Sequence, residues 1–214
     1  MQDNIEVVCD NDLNANTYLV YNDSECLIID PANNIKTLLK YVNGRTINGI
    51  LLTHGHYDHF KTLKELLKET DCLVYMHKNA YLKLKDPKSS YAGMFGFPYP
   101  TDINEEKIHF VKDNDIITLG CFNIKCWYTP GHTDCMMCYI LDNNLFSGDF
   151  VFKGSIGRTD LDTSNKQKMV NMIKELKNRK TNYIIYPGHD QSTTLEEEIK
   201  ENVYFDDNNI GLIY

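Results

Sequence analysis

The sequence predicts an α/β protein whose functional side chains sit where buried strands end. Three observations predict it. Short apolar runs alternate with segments of helical period along most of the chain. One run, Ile50-Leu51-Leu52, passes through Thr53 directly into His54, His56, Asp58 and His59. Three later runs end in the same manner, each with a glycine before the polar residue: Gly131-His132, Gly148-Asp149 and Gly188-His189. Sheets of this class bind ligands beyond the carboxyl ends of their strands.

The elements follow in order. Ile5 to Val8, Tyr18 to Tyr21 and Cys26 to Ile29 are expected as strands, separated by Asn14-Ala15-Asn16 and Asn22-Asp23-Ser24. Asp30-Pro31 ends the third. Asp30 either hydrogen-bonds the histidine-rich loop from below or closes a turn. Ile35, Leu38, Leu39 and Val42 recur at helical spacing, and Gly44 stops that helix. After the strand through Leu52, Leu63, Leu66 and Leu67 mark a helix, Leu73 to Met76 a strand, and Lys78 to Lys85 a short helix. Residues 86–107 have no period. They interleave Pro87, Gly93, Gly96, Pro98 and Pro100 with Tyr91, Phe95, Phe97 and Tyr99. A loop of this length serves a site or packs as a surface excursion or dimer contact. Strands resume at Ile108–Val111, Ile116–Leu119, Phe122–Tyr128, Met137–Leu141 and Leu145–Ser147. A helix is marked by Val170, Ile173 and Leu176. The last strand spans Tyr183 to Tyr186, and a helix with an acidic first turn begins at Glu196. No linker interrupts residues 1–214, so one domain is expected, with a suggestion of two β-rich halves.

Composition narrows the function. The chain has 214 residues, 42% of them hydrophobic, enough for a sizeable core. No apolar run approaches the ~18 residues of a membrane helix. The N-terminus lacks the basic and apolar regions of a signal peptide, so a cytoplasmic protein is expected. A net charge of −8 with scattered Lys and Arg argues against nucleic-acid binding. The seven cysteines, Cys9, Cys26, Cys72, Cys121, Cys126, Cys135 and Cys138, are expected as reduced core thiols. Cys135 and Cys138 have C-x-x-C spacing but lead into a strand, which favours packing over redox or metal chemistry.

The polar residues at the strand ends form a ligand set. Imidazole and carboxylate suit zinc, iron or manganese. A single tetrahedral ion would not use His54, His56, Asp58 and His59 together and keep an open position. Alternation along an extended segment sends His54, His56 and Asp58 to one side and turns His59 away. With His132, Asp149 and His189 the set reaches seven, which suits two ions. His54, His56 and His132 are assigned to the first, and Asp58, His59 and His189 to the second. Asp149 bridges. The sequence alone does not force this partition. His77 and His109 lack such context and read as ordinary polar residues.

The order H-x-H-x-D-H, G-H, G-D, G-H resembles the metallo-β-lactamase superfamily. The stretches Ser147 to Leu161 and Tyr186 to Leu195 are similar to its glyoxalase II-like branch, and the resemblance runs from about Asn16 to Phe205. It implies a four-layer αββα sandwich of two mixed sheets with outer helices, and it supports the ligand partition. It also implies that Arg158 lies near a glutathione-bearing substrate; otherwise Arg158 pairs with Asp160 or Asp162. Two departures stand out. The 25 residues after His189 do not provide the longer C-terminal helical region of glyoxalase II, so the chain looks more like the small single-domain hydrolases of the branch. Asp190-Gln191 also stands where the branch commonly has Gly-Pro.

The expected function is metal-dependent hydrolysis of a small-molecule thioester or ester. Two divalent ions, zinc foremost, lower the pKa of a shared water, and the resulting hydroxide attacks a carbonyl carbon. Asp58 doubles as a possible proton shuttle. The leading substrate is a hydroxyacylglutathione. The rivals are a mononuclear iron persulfide dioxygenase, a lactonase or other ester hydrolase, and a non-catalytic metal-binding scaffold. Charge and pattern leave the oligomeric state open.

Overall fold

Period-two alternation divides the side chains of a strand between two faces, and in the central strands, such as 25–29, 137–141 and 144–148, both faces are covered. The computed structural model describes residues 4–206 and 209. In the first half lie strands β1 (Asn4–Val8), β2 (Thr17–Tyr21) and β3 (Glu25–Ile29). Helix α1 (Ile35–Val42), β4 (Thr46–Leu51), α2 (Tyr57–Phe60), α3 (Leu63–Glu69), β5 (Val74–Met76), α4 (Lys78–Leu84) and β6 (Ile108–Phe110) follow. The six strands form one sheet in sequence order. Its first three are antiparallel, whereas β3 to β6 run parallel, joined by helical crossovers.

The second half supplies β7 (Ile116–Leu119), β8 (Phe122–Tyr128), β9 (Met137–Leu141) and β10 (Asn144–Gly148) as an antiparallel meander. A separate small hairpin, β11 (Val151–Phe152) and β12 (Ser155–Ile156), comes next, then α5 (Lys166–Lys177). Strand β13 (Ile184–Pro187) returns parallel to β10, β14 (Thr193–Thr194) pairs with it antiparallel, and α6 (Leu195–Glu201) leaves the sheet. The second sheet runs β14-β13-β10-β9-β8-β7.

Burial sorts these elements into four layers. Tyr18, Val20, Leu27, Ile29 and Leu51 face Phe122, Ile124, Tyr139, Leu141 and Phe146 between the sheets. Their sequence neighbours point outward. Leu19, Ile28 and Ile50 pack on α1, α3 and α4 through Val42, Leu63, Leu66 and Leu84. Trp127, Cys138, Ile140 and Ile185 pack on α5 and α6 through Met169, Ile173, Leu176 and Leu195. The expected αββα sandwich of two mixed sheets is what the chain forms. Strands covered on both sides read as continuous apolar runs, which is why they were legible. No helix among the described residues is long and apolar enough to cross a membrane.

Three expectations need correction. The segment 54–59 is not extended throughout: after His56 it closes into α2, so Asp58 and His59 project from a helical turn. The two-residue strands β11, β12 and β14 were not anticipated. Of the cysteines expected in the core, Cys9 and Cys121 are exposed and Cys72 is only partly buried. Cys135 and Cys138 are buried as expected, and burial pushes their thiols up to about 11 and about 12.

Candidate metal centre

Strands β4, β8, β10 and β13 deliver their following residues to one edge of the sandwich, where main-chain bonds tie the strand ends together. Met137 N donates to Thr53 O (2.8 Å), Gly188 N to Gly148 O (2.8 Å) and Asn16 N to Gly188 O (2.7 Å). At this edge all seven side chains meet. His54 Nε2 and His132 Nε2 lie 3.1 and 3.0 Å from His56 Nδ1. Asp58 Oδ2 lies 3.6 Å from His59 Nε2 and 3.2 Å from His189 Nε2. Asp149 stands between the sets, with Oδ2 3.5 Å from His132 Nε2 and Oδ1 3.3 Å from His59 Nε2. The donor atoms of His54, His56 and His132, and likewise of Asp58, His59 and His189, lie within 4.8 Å of one another. Asp149 forms a third such group with His54 and His59.

The glycines act by close approach. A Cβ on Gly188 would overlap Asp149 Oδ1 and lie 2.7 Å from His59 Cε1. Gly148 takes a positive φ of 48° and packs on Thr53, so the backbone turns there as only glycine does freely. Asp190, next to His189, also has positive φ (65°), a region Asp tolerates better than most residues. This accounts for an aspartate where the similar branch has glycine. Its carbonyl accepts from Asn16 Nδ2 (2.9 Å).

Outer partners fix how the rings are protonated. Thr53 Oγ1 has one proton and gives it to Asp30 Oδ2 (2.6 Å), so it accepts from His54 Nδ1 (3.1 Å). His59 Nδ1 donates to Asp30 Oδ2 (3.0 Å), His132 Nδ1 to Arg158 O (3.0 Å) and His189 Nδ1 to Asn14 O (2.9 Å). In four of the five rings the Nε2 lone pair therefore points inward, as outer partners arrange it in metal sites. Asp30 also accepts from Thr53 N (2.7 Å). It fills both expected roles, since its φ of 51° closes a turn in which Ala32 N reaches its carbonyl (2.8 Å).

These residues fit a cation. His59 Nε2 and Asp149 Oδ1 are buried and without a hydrogen-bond partner although they face each other. An imidazole lone pair and a carboxylate so placed need a proton or a cation between them. Burial lowers the basicity of His54, His56 and His132, with His56 pushed down to about 3, so this set is held neutral. Burial acts the same way on His59, but the charges of Asp58 and Asp149 outweigh it and raise its pKa. His189 is raised similarly, by its bond to Asp58 and the charge of Asp149. Asp149 is buried, yet the charge of His59 foremost holds it well below the usual carboxylate range.

Around the centre, residues 86–107 carry two single 3₁₀ turns, Ala92–Phe95 and Glu105–Lys107. Tyr91 sets its ring 5.1 Å from that of His56, and Phe97 stacks on Tyr57 at 4.8 Å. The Arg158 guanidinium is exposed and pairs with both oxygens of Asp160 (2.7 and 2.8 Å). His77 and His109 lie elsewhere, one capping α4 and the other beside Tyr75. Sequence reasoning missed Thr53, Asn14 and the Arg158 carbonyl. Two of these act through main-chain oxygens, which carry no side-chain signal.

A family model described as the metallo-β-lactamase superfamily matches residues 10–189. The Probable metallo-hydrolase YqgX of Bacillus subtilis (strain 168) is 32% identical over 197 residues, covering 90% of this chain and 92% of that protein. The hydroxyacylglutathione hydrolase GloC of Haemophilus influenzae is 27% identical over 207 residues, covering 94% of this chain and 97% of that protein. A crystal structure of the BLEG-1 B3 metallo-β-lactamase superposes with a TM-score of 0.86 at 28% identity, covering 94% of this chain and 99% of that one. The family match takes in every one of the seven converging side chains and closes on His189 itself, and the chain belongs to the metallo-β-lactamase superfamily, whose members bind metal ions.

Proposed function

We propose that this protein is a metal-dependent thioester hydrolase of the hydroxyacylglutathione hydrolase type, working with two divalent ions, zinc foremost. The observation that carries the reading is two inward-facing donor sets meeting across one carboxylate, Asp149. Its relative GloC supports the thioester assignment, since that protein's name gives the substrate class. When bound, such ions supply a water acidic enough to yield hydroxide near neutral pH and polarise the carbonyl oxygen.

The chain's own groups do the rest. His54, His56 and His132 would hold one ion, Asp58, His59 and His189 the other, and Asp149 would bridge. Asp58 is the more open of the two carboxylates, its side chain 20% exposed against 11% for Asp149. It is placed to orient the attacking water and take its proton. The water oxygen forms a bond to the acyl carbon, the C–S bond breaks with its electrons on sulfur, and the departing thiolate takes up a proton. Arg158, exposed at the rim, would exchange Asp160 for an anionic group of the substrate.

Metal analysis of protein purified without added metal, with turnover of lactoyl-glutathione, tests the reading. About two ions per chain and turnover that Asp149→Ala or His56→Ala abolishes are expected. One iron per chain, no thioester turnover and oxygen uptake with glutathione persulfide would overturn it in favour of a dioxygenase. Cleavage of a β-lactam in place of the thioester would overturn the substrate class alone.

A further inference from the structure

Lys83 is a lysine on α4 only 5% exposed, and none of the chemistry above uses it. An ammonium is buried at high cost unless it is paired. Its Nζ donates to Thr163 Oγ1 (2.8 Å) and lies 3.2 Å from Asp134 Oδ1. One helical turn earlier on the same face, Asn79 Nδ2 donates to Asp134 Oδ2 (2.9 Å). Asp134 is two residues from His132 and its carbonyl accepts from Tyr128 Oη (2.9 Å). Thr163 bonds Thr133 Oγ1 (3.0 Å), and Ser164 Oγ donates to His132 O (2.7 Å). The main chain beside His132 is thus gripped from α4 and from residues 163–164.

The same helix touches the other half of the first donor set. Gly55, between His54 and His56, packs so tightly on α4 that a Cβ there would lie 2.8 Å from Lys83 Cβ and 2.9 Å from Ala80 O. Gly55 N in turn donates to Cys135 Sγ (3.4 Å). Helix α4 therefore contacts both segments that supply His54, His56 and His132, and Lys83 is its charged link to the second. Tyr57 and Phe60, which flank Asp58 and His59, share a core cluster with Ala80, Tyr81 and Leu84 of α4, but among the described residues no hydrogen bond or ion pair joins α4 to Asp58, His59 or His189.

We propose that Lys83, through its buried contacts with Asp134 and Thr163, is a positioning residue that holds the His132 loop in register with His54 and His56, and so sets the metal affinity of that set alone. This rests on the metal-centre reading but not on the thioester substrate. Outer partners of metal ligands are worth 10–100-fold in affinity, and a group two links removed belongs near the low end, about tenfold.

Cobalt(II) titration of metal-stripped protein, followed by its visible absorption, tests the proposal. Two backgrounds separate the donor sets: His189→Ala cripples the second and His132→Ala the first. Lys83→Met keeps the length and apolar stem of the side chain and removes the charge. It is expected to weaken cobalt binding about tenfold in the His189→Ala background and to leave it unchanged in the His132→Ala background. Asp134→Asn, altering the more exposed partner, is expected to act in the same direction and serves if Lys83→Met does not fold. An equal effect in both backgrounds, or none in either, would overturn the proposal. Failure of the wild type to cleave lactoyl-glutathione would strike the proposed function and leave this one standing.

Discussion

Asp30 shows what one side chain can govern. It is 2% exposed, and its two oxygens accept from Thr53 N, Thr53 Oγ1 and His59 Nδ1. In Asp30→Asn one of those oxygens becomes a donor facing donors, which costs about 1–3 kcal/mol. Urea unfolding of the metal-free variant should show that loss; an unchanged midpoint would mean that Thr53 and His59 find other partners. The sequence placed Asp30 near the histidine loop without choosing its role, because a positive φ is invisible in a run such as Ile29-Asp30-Pro31. Titration of the rings gives a second test. His54, His56 and His132 are held neutral in the fold, whereas the unfolded chain protonates near pH 6.5. Their stabilising contribution is complete above that pH and is lost as pH falls. His59 and His189, raised by their carboxylates, act oppositely: their contribution is complete below about pH 6.5 and is lost as pH rises through the raised values. Melts of chelator-treated protein should therefore fall between pH 6.5 and 5, by up to about 1.4 kcal/mol per pH unit for each lowered histidine. A flat or rising profile there would contradict the assignment.

Elements were legible where a period had room to express itself. Strand β9, buried along all five residues, and α1, with Leu38 and Val42 facing the core, stand where the pattern put them. Helix α2 is four residues long, shorter than any periodic signal, and begins inside the ligand run. Alternation therefore gave the wrong geometry for Asp58 and His59 while giving the right residues. The strand-end glycines carried more information than their neighbours because each stands at a contact. Gly188→Ala would drive a methyl into Asp149 and His59, an overpacking that costs about 1–3 kcal/mol, and it should lower metal content as well. Full metal content in a stable Gly188→Ala protein would show that the strand end can shift.

At the scale of the whole molecule, the β4 side of the first sheet gives His54, His56, Asp58 and His59. The ends of the second-sheet strands give His132, Asp149 and His189. The face-to-face stacking of the sheets was not written in any local period; it became accessible only through the resemblance. The substrate was less legible still, since one fold carries many chemistries. A ligand bound only by the folded state stabilises it by about 2.7 kcal/mol at one hundred times its dissociation constant. The melting temperature should thus rise with free zinc in the wild type, and by clearly less in His132→Ala, which removes the second sheet's donor from the proposed first set. Equal rises would show that this set binds no metal across the sheets. The donors also have an order in time. They are made from residue 54 to residue 189, so on the proposed ligand set a growing chain passes through long stretches of synthesis with only half of its donors. On that set metal capture would be a late event in the life of each molecule, and an ion needing donors from both sheets would select chains whose two sheets have already found each other.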